Sequence, residues 1–333
     1  MFGIKDTPLQ LPLLLSNKTG QAGIDGSKYL TSNFQIPTTQ INVMIETDTD
    51  YFLGLEQTVT TAIQEDLGSG DVTVELIDEK MQAKAEVISR DSAVICGIPW
   101  VNEVFYQIDS SLTILWQVKD GDQVEPNQLL LTIEGNARSI LTGERTALNF
   151  LQSLSATATQ TNYFNQLISH TEAQLLDTRK TIPGLRRAQK YAVSCGGGTN
   201  HRMGLFDAFL IKENHIMACG SIANAISRAK ESYPDRRIEV EVENMSELKE
   251  AVDAEPNWIM LDNFSTEKMT EAVKNLNKDI CLEASGGIES DSDLIAIAET
   301  GVQYISVGAL TKHIHAVDLS LRLVENTSSE LLE

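Results

Sequence analysis

The second half of the chain repeats one unit. After Ala173, short apolar runs alternate with helical stretches: QLLD (174–177), AFLIK (208–212), IEVEVE (238–243), WIMLD (258–262), ICLEA (280–284) and YISVG (304–308). They recur roughly every 20–35 residues, the length of a strand followed by a crossover helix. Parallel strands joined by right-handed crossovers allow few topologies. No Gly-x-Gly-x-x-Gly opens the first helix, as it would in a dinucleotide-binding open sheet. The pattern therefore implies an α/β barrel, and six units rather than eight imply an incomplete one.

The first half follows other periods. Leu55, Val59, Ala62, Ile63 and Leu67 fall at helical spacing, and Gly68-Ser69-Gly70-Asp71 stops that helix. Between Ala83 and Glu134 the period shortens to two, in AEVISR, LTILWQV and LLLTIE, with turns at Gly121-Asp122 and Pro126-Asn127. GDQVEPNQLLLTIEG superficially resembles the hammerhead of a lipoyl or biotinyl carrier, but no lysine occupies its turn, so a packing module is the better reading. From Ala137 to about Ile168 the chain is helical, with Leu141, Leu148, Leu151 and Leu154 on one stripe. Arg145 lies off that stripe and reads equally well as a solvated charge. Four regions follow: an extension over 1–50 without sustained period, an α/β domain over 51–168, a barrel over 169–312, and a helical segment over 313–333 packing back on the N-terminal domain.

Charge singles out one stretch. The chain carries 26 Lys and Arg against 47 Asp and Glu, a formal net charge of −21. Residues 177–215 reverse that sign with Arg179, Lys180, Arg186, Arg187, Lys190, Arg202 and Lys212 against only Asp177, Asp207 and Glu213. A basic cluster in an acidic protein suggests a pocket for an anion, while the acidic whole argues against a nucleic-acid partner. Arg186, Arg187 and Lys190 read as a solvated helix face; Arg179, Lys180, Arg202 and Lys212 stand at element ends beside turn residues. Cys96, Cys195, Cys219 and Cys281 are scattered without a C-x-x-C pair, which fits a reducing, cytoplasmic setting. No window is long and apolar enough for a membrane helix. LPLLL (11–15) has no charged segment before it, so a signal peptide is not expected.

Barrel chemistry collects where strands end. Those positions read Asp177-Thr178-Arg179-Lys180, Lys212, Glu241 to Glu243, Asp262-Asn263, Ser285-Gly286-Gly287 and Ser306-Val307-Gly308. The two glycine turns are expected to feed helix N-termini and to suit a phosphate. Glu239, Glu241 and Glu243 share one strand face, able to hold Mg²⁺ through water or accept sugar hydroxyls, and Asp262 extends that acidic wall. His201 and Arg202 follow Gly196-Gly197-Gly198, where the chain can approach a ligand closely. His215 has no assigned role, and His313 with His315 lacks a third metal ligand at a compatible spacing.

The run DTRKTIPGLRRAQKYAVSCGGGTNHRMGLFDAFLIKENHI closely resembles the quinolinate phosphoribosyltransferases. EDLGSGDVT (65–73), ERTALNFLQ (144–152), EVEVEN (239–244), IMLDNF (259–264), EASGGI (283–288) and ISVGALTKH (305–313) join it in order and spacing. The resemblance implies a mixed α/β N-terminal domain, an open six-stranded barrel of the type II phosphoribosyltransferase kind, and a homodimer with shared active sites. It implies transfer from phosphoribosyl pyrophosphate to quinolinate with loss of CO₂ and with Mg²⁺. It assigns Arg145 to quinolinate across the dimer and Arg179, His201, Arg202 and Lys212 to the dicarboxylate pocket, with Thr178 as a further substrate-binding residue. Lys180 joins the same basic wall and serves the pyrophosphate. Glu241 and Asp262 lie near ribose and metal, and Ser285 to Gly287 with Ser306 to Gly308 form the 5′-phosphate cradle. Lys180, Lys212, Glu241 and Asp262 are the expected catalytic groups. One departure is Ser155-Ala156 in place of the usual Ser-Gly, a methyl group that narrows the pocket or shifts the helix. A nicotinate-using relative and a non-catalytic nucleotide-binding relative are the alternatives.

Overall fold

The computed structural model describes residues 50–276 and 279–324. The expected N-terminal extension, apart from Asp50, lies outside the described residues.

Helix α1 (Leu55–Leu67) turns Leu55 and Val59 inward and ends at Gly68, whose positive φ of 51° lets its N–H reach Gln64 O. The alternating segments form an antiparallel sheet from β1 (Gln82–Ser89), β3 (Thr113–Trp116) and β5 (Leu129–Asn136). A short ribbon joins β2 (Ala93–Val94) to β4 (Gln123–Val124). Ala85, Val87, Leu131 and Ile133 of the sheet share one apolar core with Trp100, Val104 and Phe105 of α2 (Ile98–Ile108) and with Leu148, Leu151 and Leu154 of the 31-residue α3 (Ala137–Leu167). Ala156 is buried in that core, and Ser155 Oγ accepts from Cys96 N–H at 2.9 Å. The extra methyl is thus absorbed by the N-terminal core.

Asp120 closes the start of α2, accepting Gly97 N–H at 2.9 Å and Ile98 N–H at 3.1 Å on one oxygen and the Tyr191 hydroxyl at 2.9 Å on the other. Burial pushes its carboxyl from the ordinary 3.8 up to about 6, against the pull of those hydrogen bonds. The folded chain therefore holds this proton more tightly than the unfolded one. The contribution is complete below pH 3.8 and is lost as pH rises through about 6. Asp120→Asn has no such proton. Urea melts between pH 4 and 7 are expected to show the wild type losing about 3 kcal/mol relative to the variant, and parallel profiles would exclude this carboxyl as the source.

The tail departs from expectation. Residues 319–324 form a strand, β12 (Leu319–Val324), instead of a helix, and it pairs antiparallel with β1 from Ser89↔Leu319 to Lys84↔Val324. Leu319, Leu321 and Leu323 alternate with Ser320 and Arg322, a strand period that brief length conceals. Residues 325–333 lie outside the described residues.

All six barrel strands form, five with bounds shifted by a residue or two from the apolar runs and β9 unshifted: β6 (Gln174–Leu176), β7 (Ala208–Ile211), β8 (Arg237–Val242), β9 (Trp258–Asp262), β10 (Cys281–Ser285) and β11 (Tyr304–Ser306). They pair in parallel in the order β6-β11-β10-β9-β8-β7. The edge strands β6 and β7 are consecutive in sequence yet do not pair, which leaves a seam. Into it runs the segment around Thr199, whose N–H donates to Leu175 O at 2.8 Å and whose O accepts Asp177 N–H at 3.2 Å.

Side-chain alternation divides the barrel strands. Val240, Val242, Ile259, Leu261, Leu282, Ala284 and Ile305 pack outward into the core formed with α6 (Ile222–Ser232), α7 (Met245–Ala254), α8 (Thr266–Asn275) and α9 (Asp291–Ala298). The opposite parity carries Glu239, Glu241, Trp258, Met260, Asp262, Glu283, Ser285 and Ser306 inward. Trp258 and Tyr304 stack at 4.1 Å, with the Arg237 guanidinium 4.3 Å from the indole centroid, and close the end where the strands begin.

The two halves of the chain meet where α3 crosses α4 (Arg186–Cys195). At Gly196 a Cβ would collide with Ala158 O and lie 2.7 Å from Thr161 Cβ. Gly196→Ala is expected to lower stability by about 1–3 kcal/mol through overpacking. The check is a reduced urea midpoint at unchanged slope; an unmoved midpoint would show that the helices part without penalty.

Candidate active site

The polar strand ends converge at one mouth. Lys212, after β7, opens α5 (Glu213–Cys219): its N–H donates to His215 Nδ1 at 3.0 Å and its O accepts His215 N–H at 2.8 Å. That reciprocal cap gives His215 its role and fixes where Lys212 leaves the chain. Lys212 Nζ forms an ion pair with Glu241 of the neighbouring β8.

Asp262 ends β9, and the next residue ties it to β10. Asn263, at φ 54°, donates its N–H to Ser285 O at 2.9 Å and its side-chain amide to Asp262 Oδ2 at 3.1 Å. Gly286 has φ 82°, and a Cβ there would lie 2.9 Å from Asn263 Cγ. Only glycine meets both demands. On the other side Val307 N–H donates to Leu176 O at 2.9 Å, and Thr178 Oγ1 accepts Lys180 N–H at 3.0 Å. A Cβ on Gly308 would lie 3.0 Å from Lys180 Cδ, so the lysine stem crosses that turn.

Only one of the two glycine turns feeds a helix N-terminus as expected: Gly308 is the N-cap of a one-turn helix, whereas the turn at Ser285 to Gly287 stops short of one. Helix α9 begins at Asp291, beyond Ile288, Glu289 and Ser290, and its first turn is closed by a Ser290–Asp293 capping box and carries two acids. Helix α10 (Ala309–Lys312) has four residues. Any anion held here would use the loops themselves. Among the described residues the N–H groups of Gly286, Gly287 and Gly308 donate to no main-chain oxygen outside the strands and helices.

Two arginines supply the strongest pull on an anion. Arg179 is half-buried, and its Nε is buried without a hydrogen-bond partner. Arg202 donates to Ala208 O at 3.1 Å, and burial together with the nearby Arg179 holds its guanidinium below the ordinary arginine pKa. Like charges brought together around an unsatisfied donor call for a negative partner.

His201 does not open onto this mouth. It enters the barrel through the seam, with Nε2 at 2.9 Å from Glu239 and 3.3 Å from Glu283, both fully buried. Burial opposes charge on the ring, but the two carboxylates outweigh it and raise the His201 pKa to about 9. Burial raises Glu283 to about 7, with Glu239 adding to it, whereas His201 and Arg237 overcome burial at Glu239 and lower it. The spacing of this trio suits a metal ion, but its protonation does not. Nε2 bears a proton in the charged ring, and also in the neutral ring, whose Nδ1 accepts Arg202 N–H at 2.7 Å. A ligating histidine instead donates from its second nitrogen. His313 and His315 are exposed and belong to no metal-like group among the described residues.

The supposed solvated face of α4 is otherwise employed. Arg186 donates to Thr181 Oγ1 at 3.1 Å and Met203 O at 3.3 Å, Arg187 donates to Asp50 O, and Lys190 is fully buried against Asp177. Gln189 accepts Ile182 N–H at 2.8 Å and donates to Thr311 O at 2.7 Å, holding the loop after Lys180. Sequence reasoning placed Asp177 among the strand-end positions without giving it a role, and passed over Lys190 and Glu283. The available signals were Val193 three residues after Lys190 on one helical face and the shared parity of Glu283 with Ser285.

Arg145 stands apart. It is exposed, and its nearest ionic partner is the adjacent Glu144 at 4.0 Å. It precedes Ala158, where α3 meets Gly196, by about 20 Å of helix. No contact among the described residues joins it to Arg179 or Arg202.

An open six-stranded α/β barrel with cations, carboxylates and glycine turns around one mouth has the architecture of a type II phosphoribosyltransferase. Residues 71–155 match the family model "Quinolinate phosphoribosyl transferase, N-terminal domain", and residues 157–322 match its C-terminal counterpart. The chain belongs to the quinolinate phosphoribosyltransferase family. It is 37% identical over 278 residues to the probable nicotinate-nucleotide pyrophosphorylase (carboxylating) of Bacillus subtilis, covering 83% of this chain and 96% of that one. It is 38% identical over 281 residues to the enzyme of the same class from Mycobacterium leprae, covering 82% and 98%. A solved nicotinate-nucleotide pyrophosphorylase from Francisella tularensis superposes with a TM-score of 0.79 at 49% identity, over 81% of this chain and 96% of that one.

Proposed function

We propose that this chain is a quinolinate phosphoribosyltransferase of NAD biosynthesis. It joins quinolinate to phosphoribosyl pyrophosphate and releases nicotinate mononucleotide, pyrophosphate and CO₂. The observation that carries this reading is the neighbouring pair Arg179 and Arg202, with a buried unpartnered Nε on Arg179, in a chain whose near full-length relatives are named for the reaction.

Planar guanidiniums grip carboxylates through two parallel hydrogen bonds, which suits Arg179 and Arg202 to the two acid groups of the pyridine. Thr178 and Lys212 complete that wall. His201 supports it from below through its contact with Arg202. Lys180, lying across Gly308, takes the pyrophosphate end, and the turns at Ser285 to Gly287 and Ser306 to Gly308 receive the 5′-phosphate. Positive charge develops on the ribose as pyrophosphate leaves, and the carboxylates of Glu241 and Asp262 stabilise it. Once the ring nitrogen is alkylated and cationic, it accepts the electrons released when the adjacent carboxylate departs as CO₂, and a proton takes its place. Positioning supplies most of the effect.

Glu241 and Asp262 fit Mg²⁺ as hard oxygen donors at neighbouring strand ends. Each has one oxygen engaged, by Lys212 and by Asn263 respectively, and another without a hydrogen bond among the described residues. Bound there with the substrate's phosphates, the ion would neutralise charge on the leaving pyrophosphate. Turnover of carboxyl-labelled quinolinate with phosphoribosyl pyrophosphate, with and without magnesium, tests this function. Labelled CO₂ is expected only with both substrates, and faster with magnesium; no release, or equal turnover of nicotinate, would sink the assignment.

The exposed Arg145 completes the pocket of a second subunit in a homodimer. Mixing Arg145→Ala with an Arg202→Ala chain is expected to restore about a quarter of wild-type activity through hybrid dimers that pair two intact contributions at one mouth. No restoration would favour a self-contained subunit. No helix of the described residues is long and apolar enough to cross a membrane, and the four cysteines are free; both support a cytoplasmic location.

A further inference from the structure

Behind the mouth lies a charge pair that touches no part of the proposed ligand. Lys190 and Asp177 are both fully buried and form an ion pair. Lys190 Nζ also donates to His201 O at 2.9 Å, while Asp177 Oδ1 accepts His201 N–H at 2.9 Å. The pair therefore grips both main-chain groups of a single residue. Asn200 completes the grip, donating to Asp177 Oδ2 at 2.6 Å and to Lys190 O at 2.9 Å.

A buried ion pair stabilises a fold little better than well-packed apolar side chains of the same volume. Apolar side chains, however, could not hold the N–H and the C=O of His201. The consequence falls on its neighbours. Arg179 lies two residues after Asp177, and Arg202 follows His201 directly. Two like charges stand near each other here, and burial together with Arg179 lowers the Arg202 pKa; the segment carrying Arg202 crosses the seam with one bridge to β6. Arg186 reaches Met203 O at 3.3 Å and Arg179 O at 3.5 Å from the more exposed side, and the Lys190–Asp177 pair is the buried tie that holds the two arginine-bearing segments together before any anion arrives.

The geometry points to Lys190 and Asp177 as positioning residues that set the separation of Arg179 and Arg202, and through it the preference for a pyridine dicarboxylate over a monocarboxylate. This inference rests on the proposed dicarboxylate pocket. Neither residue touches substrate; both act through the backbone of His201.

Equilibrium titration of the full-length protein with pyridine-2,3-dicarboxylate and, separately, pyridine-3-carboxylate tests it. The variants are Lys190→Met, Asp177→Asn/Lys190→Met, and Asn200→Ser, each first shown to melt cooperatively. The double variant removes both charges yet leaves an amide oxygen to accept His201 N–H. It is expected to lose on the order of 100-fold in affinity for the dicarboxylate, as misplacement of about 1 Å does, and only a few-fold for the monocarboxylate. Asn200→Ser, which keeps both charges, shifts the ratio in the same direction by less and decides the matter if the charge variants fail to fold. Affinity lost equally for both ligands, or an unchanged ratio in a folded variant, would overturn the positioning role. A wild type with no preference for the dicarboxylate would instead overturn the pocket reading and this inference with it.

Discussion

Lys190→Met is expected to lower the free energy of unfolding by about 3–5 kcal/mol, a third or more of the stability of a typical domain. The loss arises from the partner left behind. Asp177 would remain fully buried with only the His201 N–H and the Asn200 amide to compensate its charge. Urea denaturation gives the number, and Asp177→Asn/Lys190→Met provides the control, since it leaves no uncompensated charge and is expected to recover most of the loss. Equal losses in the single and double variants would trace the effect to packing around the lysine stem.

The second large effect concerns chemistry. Arg202→Ala is expected to reduce kcat/KM for quinolinate by about 3 kcal/mol, on the order of 100-fold, the usual result of removing one preorganised donor. Stability should change little, because the guanidinium is half-buried and among the described residues makes one hydrogen bond, to Ala208 O. Arg202→Lys should restore only a fraction, as a point charge cannot offer two parallel donors to a carboxylate. Near-normal turnover in Arg202→Ala would place this arginine outside the pocket.

The barrel was legible because its strands are short, apolar and separated by crossovers of ordinary length: each of the six runs became a strand within two residues of its expected bounds. Inward parity was legible too, since Glu239 and Glu241 alternate with Val240 and Val242. What escaped were features set by contacts distant in sequence. Lys190 resembles any helix charge until Asp177 and His201 are seen around it, and His201 resembles a ligand-facing histidine until Glu239 and Glu283 are found on its Nε2. β12 escaped because its partner β1 lies some 230 residues earlier. Pairing of that kind leaves no local trace beyond three alternating leucines.

The gap between β6 and β7 has a consequence for how such an enzyme can vary. In a barrel closed by hydrogen bonds all round, each reactive side chain is placed at an angle dictated by strand register. The segment carrying Arg202 is exempt from that geometry, because it threads an opening instead of continuing a strand. Its guanidinium is placed by the side chains that grip the crossing, Asp177, Lys190 and Asn200, which makes those three positions the natural place for ligand choice to diverge while the staves stay the same.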